Sequence, residues 1–189
     1  MNTAARITLE ARRLLEQRGL DAVTMRRIAQ AVGVSATAIY RHFPDRSALL
    51  AVLADQGFKE LAEQFDGVYR ARSRASTQLL KMADICVDFA IAHSNLYELM
   101  FLKQRSGARR YPQDFKAGRS PTGNVIARSM QELLGEEGSR MGWQPVFEVG
   151  ALSHGLVMLY LGGRIDATVP KFRALHRRAL WRYLNAFSK

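Results

Sequence analysis

Residues 19–50 read GLDAVTMRRIAQAVGVSATAIYRHFPDRSALL, and this stretch decides the fold. Within it, Thr24 is a residue type that caps helix N-termini, and four apolar residues follow at helical spacing. These are Met25, Ile28, Ala29 and Val32. Gly33 supplies the positive φ that a sharp turn needs, and Ser35 caps the next segment, which extends to about His42. The spacing predicts two helices of roughly eight residues joined by a tight turn.

The residues before this stretch predict a third helix of the same unit. Apolar residues keep a helical spacing over 3–18, and Gly19 stops the helix. Two helices of that length do not stand alone, so we expect the first helix to pack behind them, with Ile39 and Phe43 pointing inward. Residues 1–46, which we call the head, are therefore predicted to form a three-helix domain built on a helix-turn-helix.

The remaining residues, 47–189, form the second predicted domain. Apolar residues recur every three or four positions there, and the five prolines fall between the periodic segments. The fold class is therefore all-α, with about nine helices in total. After a long helix that starts at Pro44 and Asp45, helices are predicted at about 75–93, 95–102, 122–134, 145–161 and 172–187. Residues 103–120 are predicted to form a long loop.

Composition bounds the partners and the compartment. The formal net charge is +11, from 28 Lys and Arg against 17 Asp and Glu, which favours a polyanionic partner such as nucleic acid. The alternative explanation is a genomic bias toward arginine codons. No apolar run approaches the ~20 residues of a membrane span, and residues 1–20 lack the pattern of a secretory signal. We therefore expect a cytoplasmic protein with no membrane partner.

Catalysis and metal binding find no support in the sequence pattern. No Ser, His and Asp set, glycine-rich phosphate loop or carboxylate pair stands at a recognisable spacing, so an enzyme is not expected. His93, His154 and His176 lack metal-ligand spacing with a cysteine or a carboxylate, so neither a metal nor a cofactor is expected. The single cysteine, Cys86, is predicted to be a small buried apolar residue.

Residues 19–50 resemble the TetR family of bacterial transcription regulators. The matching features are the Thr-x-x-x-Ile-Ala turn that begins at Thr24, residues 33–35, the Ile39-Tyr40 pair, residues 42–43 and residues 47–50. Residues 93–101 and 152–157 are also similar to a C-terminal subgroup of the family named for a Trp-His-Gly motif, with Ser153 where the tryptophan stands.

The resemblance implies a function. It implies a homodimer that binds a palindromic operator of double-stranded DNA and represses a gene until a small-molecule effector binds the C-terminal domain. Two recognition helices of a two-fold dimer lie ~34 Å apart, so a ligand that changes this spacing would lower DNA affinity. The alternative is a ligand-independent regulator, or a nucleoid-associated factor, with the same head.

Ten residues are candidate DNA contacts. They are Thr24, Arg26, Arg27, Ser35, Ala36, Thr37, Tyr40, Arg41, His42 and Arg46. Thr24 suits a phosphate through its amide and hydroxyl, and a plain N-cap is compatible with that role. Tyr40 and His42 match phosphate-contacting positions of the family, with packing at the edge of the core as the alternative for Tyr40. Arg46 is expected to anchor the DNA backbone at the start of the fourth helix.

Base reading is expected from few side chains. The fork of Arg26 fits guanine O6 and N7, while a solvated Arg26, with Arg27 as the phosphate clamp, is the alternative. Thr37 offers one hydroxyl and one methyl group, and the alanines beside it make the surface small, so DNA shape is expected to contribute. Arg41 departs from the aromatic or amide side chain often found at its position, and base contact and phosphate contact both remain open for it.

The apolar helices of the second domain predict a ligand pocket and a dimer interface. Helix 145–161 has almost no polar side, so a partner subunit is expected to cover one of its faces in an intersubunit four-helix bundle. The interface residues are Gly150, Ala151, Gly155, Leu159, Leu175, Ala179 and Tyr183. The pocket residues are Met82, Cys86, Phe89, Met100, Phe101, Met130, His154 and Met158, with ordinary core packing as the alternative.

Overall fold

The computed structural model describes residues 2–102 and 107–187, without the side chains of residues 36 and 137–139. Eleven α-helices and one 3-10 helix, at Leu20–Ala22, fill these residues, and no strand occurs among them. The helices are α1 (Thr3–Arg18), α2 (Met25–Val32), α3 (Ala36–Tyr40), α4 (Arg46–Arg70), α5 (Ala75–Ala92), α6 (Ser94–Phe101), α7 (Gln113–Lys116), α8 (Pro121–Leu134), α9 (Glu136–Met141), α10 (Gln144–Leu161) and α11 (Val169–Asn185). The all-α prediction is confirmed.

The predicted number of about nine helices is too low for two local reasons. Helix α7 forms inside the predicted loop 103–120, where Asp114 accepts the backbone amide of Arg110 at 2.7 Å and the side chain of Arg119 at 3.0 Å. Residues 103–106 of that loop lie outside the described part. Gly135, with a φ of 56°, ends α8, and a new helix, α9, begins at the next residue.

The described chain divides into two compact units. The first unit comprises Met1–Phe58 and His93–Ala108, and the second comprises Lys59–Ala92 and Arg109–Lys189. This division differs from the predicted domain boundary after residue 46, because packing in the first unit continues along α4 to Phe58 and takes in α6.

The first unit packs α1, α2, α3, α6 and the beginning of α4 around one core. Ile7, Ile28 and Ile39 are fully buried in this core. Gly57 of α4 lies so close to α6 that an added Cβ would stand 2.6 Å from Met100 Sδ and 3.0 Å from a methyl carbon of Leu96. The two helices therefore pack closely at Gly57, where a side chain would force the Met100 and Leu96 side chains to shift.

Polar contacts also tie α6 to α1 within this unit. Nδ1 of His93 lies 2.9 Å from a carboxylate oxygen of Glu16, and the side-chain amide of Asn95 donates to the Glu16 carbonyl at 3.2 Å. Glu16 also pairs with Arg12 one turn earlier. The C-terminal end of α1 is thus held by α6.

The second unit is organised around the apolar faces of α5, α8, α10 and α11. Its hydrophobic cluster contains Leu79, Leu80, Ala83, Met130, Val146, Val149, Leu180 and Leu184. A buried polar pair crosses this core, since the Ser129 hydroxyl donates to the side-chain oxygen of Gln78 at 2.7 Å. Along the outer edge, Asp84 and Asp88 of α5 pair with Arg177 and Arg173 of α11. No helix among residues 2–102 and 107–187 is long and apolar enough to span a membrane.

A second buried polar pair joins α10 to α11. His176 is fully buried, and its Nε2 lies 3.0 Å from the Ser153 hydroxyl. Its Nδ1 is buried and has no hydrogen-bond partner. Burial lowers the pKa of His176 below the ordinary histidine value, although a hydrogen bond to the Ser153 backbone and the charge of Asp84 oppose the shift. The imidazole is therefore neutral at pH 7.

This burial predicts acid sensitivity. We expect the free energy of unfolding to fall as the pH drops below about 6.5, the ordinary histidine pKa. In that range the unfolded chain gains a proton at His176 and the folded chain does not, which costs up to about 1.4 kcal/mol per pH unit. Urea unfolding one pH unit above and one below this value measures the loss, and His176→Gln should reduce it.

His154→Gln is the parallel variant, because burial also lowers the pKa of His154 and this residue should contribute to the acid-induced loss as well. Each substitution should remove its own part of the acid-induced loss. An acid-induced loss in the His176→Gln protein equal to that of the wild type would show that His176 is not held neutral by the fold.

Candidate nucleic-acid interface

Helix α2 begins at a side-chain cap. The Thr24 hydroxyl oxygen accepts the backbone amide of Arg27 at 3.3 Å, as the sequence predicts for an N-cap. The backbone amide of Thr24 donates to the Ala22 carbonyl at 3.0 Å, so the expectation that this amide is open to a phosphate is wrong. Only the hydroxyl proton of Thr24 stays available for a phosphate.

The turn after α2 positions the short helix α3. Gly33 has φ 72° and ψ 39°, the left-handed conformation that the sequence predicts for this turn. The Ser35 hydroxyl accepts the backbone amide of Ala38 at 3.1 Å and caps α3. Ile39 is fully buried and Phe43 nearly so, which fixes the inward face of α3.

The opposite faces of α2 and α3 point into solvent. Thr37, Tyr40 and Arg41 are exposed and share one helical face, because they are spaced three and four residues apart. Ser35 and His42 are exposed beside them, while the side chain of Ala36 lies outside the described residues. Tyr40 is 52% exposed, so packing at the edge of the core does not explain this residue.

Helix α2 contributes Arg26 and Arg27 to the exposed surface. Gln30 is exposed on the same face, one turn after Arg26, and sequence reasoning missed it. The spacing from Arg26 could have predicted Gln30, because residues four positions apart share a helical face. We call these exposed residues the outward face. It consists of Arg26, Arg27, Gln30, Ser35, Thr37, Tyr40, Arg41 and His42.

The charge of this face is unbalanced. Residues 22–44 contain three arginines and no Asp or Glu. Among the described residues, none pairs with Arg26, Arg27 or Arg41 in a salt bridge. Other arginines of the head are occupied: Arg13 pairs with Glu10, and Arg6 donates to the Val32 carbonyl at 2.6 Å. The outward face therefore presents unpaired guanidinium groups, which suit phosphates and guanine edges.

Arg46 begins α4, as predicted, but its guanidinium binds the protein's own backbone. Its Nε donates to the Val23 carbonyl and its Nη2 to the Leu20 carbonyl, both at 2.6 Å. From the sequence, we expect Arg46 to present its guanidinium to the DNA backbone. This geometry does not support that expectation, because the Nε and Nη2 atoms already donate to protein carbonyls. Helical periodicity could not predict these contacts, because Val23 and Leu20 lie 23 and 26 positions before Arg46 in the sequence.

The predicted pocket residues are divided between the two units. Met100 and Phe101 belong to the first unit, where Phe101 packs on Phe58 with ring centroids 5.1 Å apart. The other six belong to the second unit. Met130 is part of its hydrophobic cluster, as the core-packing alternative predicts, and Cys86 is half-buried, which corrects the expectation of a buried cysteine.

A different, open cleft lies between α4 and α8 in the second unit. Its volume is about 430 Å³. It is lined by Lys59, Ala62, Glu63, Asp66, Gly67, Arg70 and Val125, none of which is a predicted pocket residue. Asp66 in this cleft already pairs with Arg70 and Arg128, and these hydrogen bonds lower the pKa of its carboxyl. Among the described residues, no three His, Cys, Asp or Glu side chains are grouped as metal ligands.

The predicted interface residues divide into two groups. Ala151, Gly155 and Leu159 are exposed at four-residue intervals on α10, and Leu175 is exposed on α11. Apart from the backbone of α10 and the adjacent residues, no heavy atom in the described part of the chain lies within 4 Å of a Cβ added to Gly150 or Gly155. Ala179 and Tyr183 are half-buried and pack on the hydrophobic cluster of the second unit, and their assignment to a dimer interface stays a prediction. The Tyr183 hydroxyl donates to Glu148 at 2.8 Å, and burial raises the pKa of Tyr183.

Family comparison decides the identity of this helical chain. Residues 7–53 match the model described as bacterial regulatory proteins, tetR family. Residues 79–183, more than half of the chain, match the model described as tetracyclin repressor-like, C-terminal domain. The chain belongs to the TetR family. TetR-family proteins are DNA-binding transcription regulators, so the predicted class of function is confirmed. Neither model names the Trp-His-Gly subgroup, which stays a prediction.

Individual relatives agree with this assignment. An HTH-type transcriptional repressor of Mycobacterium tuberculosis is 42% identical over 52 residues, which is 28% of this chain and 28% of the repressor. The chain spans half or less of the length of the curated relatives that it matches.

Solved structures share the whole fold. A protein of unknown function from Rhodococcus sp. RHA1 is 29% identical, with a TM-score of 0.75 over 96% of this chain and 95% of that chain. A TetR variant from Acinetobacter baumannii in complex with minocycline is 20% identical, with a TM-score of 0.68 over 100% of this chain and 97% of that chain. At 20% identity, the second likeness shows the fold alone.

Arg26 and Arg27 are both exposed and without a salt-bridge partner among the described residues, so their predicted roles in DNA binding can be compared directly. If Arg26 reads guanine, Arg26→Ala should cost ~1 to 3 kcal/mol on the best duplex and relax the base preference at one position of each half-site. Arg27→Ala should lower affinity for all duplexes alike, because a phosphate contact carries no sequence information. Selection from random duplexes at one fixed salt concentration measures both effects.

The two variants serve as controls for each other, since they change the same residue type on neighbouring positions of α2. An unchanged base preference in Arg26→Ala, with uniformly lower affinity, would make Arg26 a phosphate contact. Base reading would then fall to Arg41 and to DNA shape.

Proposed function

We propose that this TetR-family protein is a homodimeric repressor that binds a palindromic operator through the outward face of α2 and α3. A small molecule bound in the second unit releases it. The observation that carries the proposal is the outward face itself, with three unpaired arginines, exposed Tyr40 and His42, and no carboxylate in residues 22–44. Such a face attracts the phosphate backbone and offers donors to base edges.

The size of α3 supports binding in the major groove. The helix has five residues and exposes Thr37, Tyr40 and Arg41, so its side chains are short near its N-terminus and longer near its C-terminus. Small side chains allow the backbone of a recognition helix to approach the base edges closely. We expect thymine methyl groups and DNA shape to supply part of the sequence preference.

The exposed apolar stripe on α10 supports the homodimer. It consists of Phe147, Ala151, Gly155 and Leu159, spaced by four residues along one face. Phe147 is 42% exposed and Leu159 46% exposed, although both are large apolar residues. A second copy of the chain would cover this stripe in an isologous contact, with the small residues at its centre allowing close helix approach.

Release by a small molecule is supported by the family's architecture. The solved TetR variant in complex with minocycline has the same fold as this chain. A ligand that prefers one arrangement of the dimer shifts DNA affinity by its differential affinity for the two arrangements.

Selection from random duplexes tests the mode of binding. The full chain should enrich an inverted repeat whose half-sites are centred about one helical turn, ~34 Å, apart. A thermal-shift screen of a compound library then tests release. A compound that raises the Tm should also weaken binding to the selected duplex, whereas binding compounds that leave DNA affinity unchanged favour the ligand-independent alternative.

The α10 stripe predicts that Gly155→Glu prevents dimerisation. In an isologous interface the substitution brings two carboxylates toward each other across the two-fold axis, where they are desolvated and repel. Sedimentation velocity should show a monomer, and affinity for the selected duplex should fall because the two half-sites are no longer bound together.

Ala92→Glu is the matched control, since it introduces the same charge at an exposed helical position of the second unit away from the stripe. It should sediment like the wild type. A dimer of wild-type affinity in Gly155→Glu would place the interface on another surface.

A further inference from the structure

Arg46, the first residue of α4, binds two backbone carbonyls that lie just before α2. Its Nε is 2.6 Å from the Val23 carbonyl oxygen, and its Nη2 is 2.6 Å from the Leu20 carbonyl oxygen. Val23 is fully buried, and its carbonyl receives the Arg46 hydrogen bond in a place that water does not reach. The guanidinium thus bridges the start of α4 and the 3-10 turn at residues 20–22.

The bridged turn sets the first residue of α2. Val23 is followed directly by Thr24, whose hydroxyl accepts the Arg27 amide and whose carbonyl accepts the Ile28 amide at 3.1 Å. One peptide bond therefore separates the Val23 carbonyl that Arg46 contacts from Thr24, the cap of α2. Arg26 and Arg27 project from the first turn beyond that cap, so the direction of both side chains depends on where Val23 is held.

We propose that Arg46 is a positioning residue of the DNA interface, which fixes the N-terminal turn of α2 against the start of α4. The inference rests on the proposed function, DNA binding through the outward face. It assigns Arg46 to the alignment of Arg26 and Arg27 and not to contact with DNA.

The chemistry of the contact requires arginine. The planar guanidinium offers Nε and Nη2 along one edge, and two separate carbonyl oxygens accept from that edge. A lysine ammonium keeps the charge but is a single donor atom on a flexible stem. A phosphate bound by the same edge would displace the Val23 carbonyl and leave it buried without a partner, which folded proteins avoid.

Arg46→Lys separates positioning from phosphate contact. If Arg46 positions α2, the lysine variant should lose about 2 to 8 °C in Tm and bind the selected duplex about five- to tenfold more weakly at a temperature where it is fully folded. Arg46→Gln should behave in the same way. The salt slope of DNA binding should be the same in the lysine and glutamine variants, because the charge at position 46 does not contact a phosphate.

A double-mutant cycle supplies the readout that a purely structural role would not change. Arg26→Ala should weaken DNA binding less in the Arg46→Lys background than in the wild type, because Arg26 is already misaligned there. Arg41→Ala, the matched control on α3, should weaken binding equally in both backgrounds. Additive effects for both pairs, with only the Tm lowered, would reduce Arg46 to a stabilising residue and overturn the proposal.

A phosphate contact gives a different pattern. Arg46→Lys would then keep the Tm and nearly all affinity, while Arg46→Gln would flatten the salt slope by about 0.9 per protomer. If neither variant folds, the guanidinium NMR signal of Arg46 in the wild type decides the matter. An Nε–H resonance unchanged on adding the selected duplex supports positioning, and a shifted resonance overturns it.

Failure of the proposed function has its own signature. A wild-type chain that enriches no duplex sequence would refute operator binding. The Tm of Arg46→Lys would still test whether Arg46 holds the start of α2 against the start of α4 in the protein without DNA.

Discussion

The burial of Ile39 is the contact on which the DNA-binding surface depends. Helix α3 has only five residues, and a helix of that length does not persist in water by itself. Ile39 is fully buried in the core of the first unit, and the Ser35 cap satisfies an amide at the helix start. Because the inward face of α3 is fixed in this way, Thr37, Tyr40 and Arg41 are held outward together.

The arginines of the head fall into two groups, those that bind other groups of the protein and those that do not. The first group stabilises the unit, and the second is available to bind DNA. Arg6 and Arg46 donate to backbone carbonyls at helix ends, and Arg13 pairs with a carboxylate on its own helix. The contacts of Arg6 and Arg46 hold helices to one another, and that of Arg13 lies within α1. Arg26, Arg27 and Arg41 lie where residues 22–44 offer no carboxylate, so their charge remains uncompensated until a polyanion approaches.

Much of the fold could be predicted from the sequence because its signals are local. Thr24, Gly33 and Ser35 act on amides and turns within three residues of themselves, and each does so as predicted. Helix α1 has the predicted bounds for the same reason. Helices α7 and α9 were missed because glycine and proline near them predict interruptions that the chain bridges with short helical turns.

The errors in the candidate sites arise from contacts between residues distant in the sequence. The closeness of Gly57 to Met100 joins α6 to α4 within the first unit, so Met100 and Phe101 belong to a different unit from the other six predicted pocket residues. The hydrogen bonds of Arg46 to residues 20 and 23, and that of Tyr183 to Glu148, likewise join separate helices. Periodicity assigns a residue to a face but does not identify the partner across from it.

In the proposed function, two copies of the outward face bind one DNA duplex symmetrically. Hydroxyl-radical footprinting of the full chain on its selected duplex tests this most directly. We expect two protected patches related by a two-fold axis, lying on one side of the duplex about one helical turn apart. A single protected patch, or uniform protection along the duplex, would contradict it.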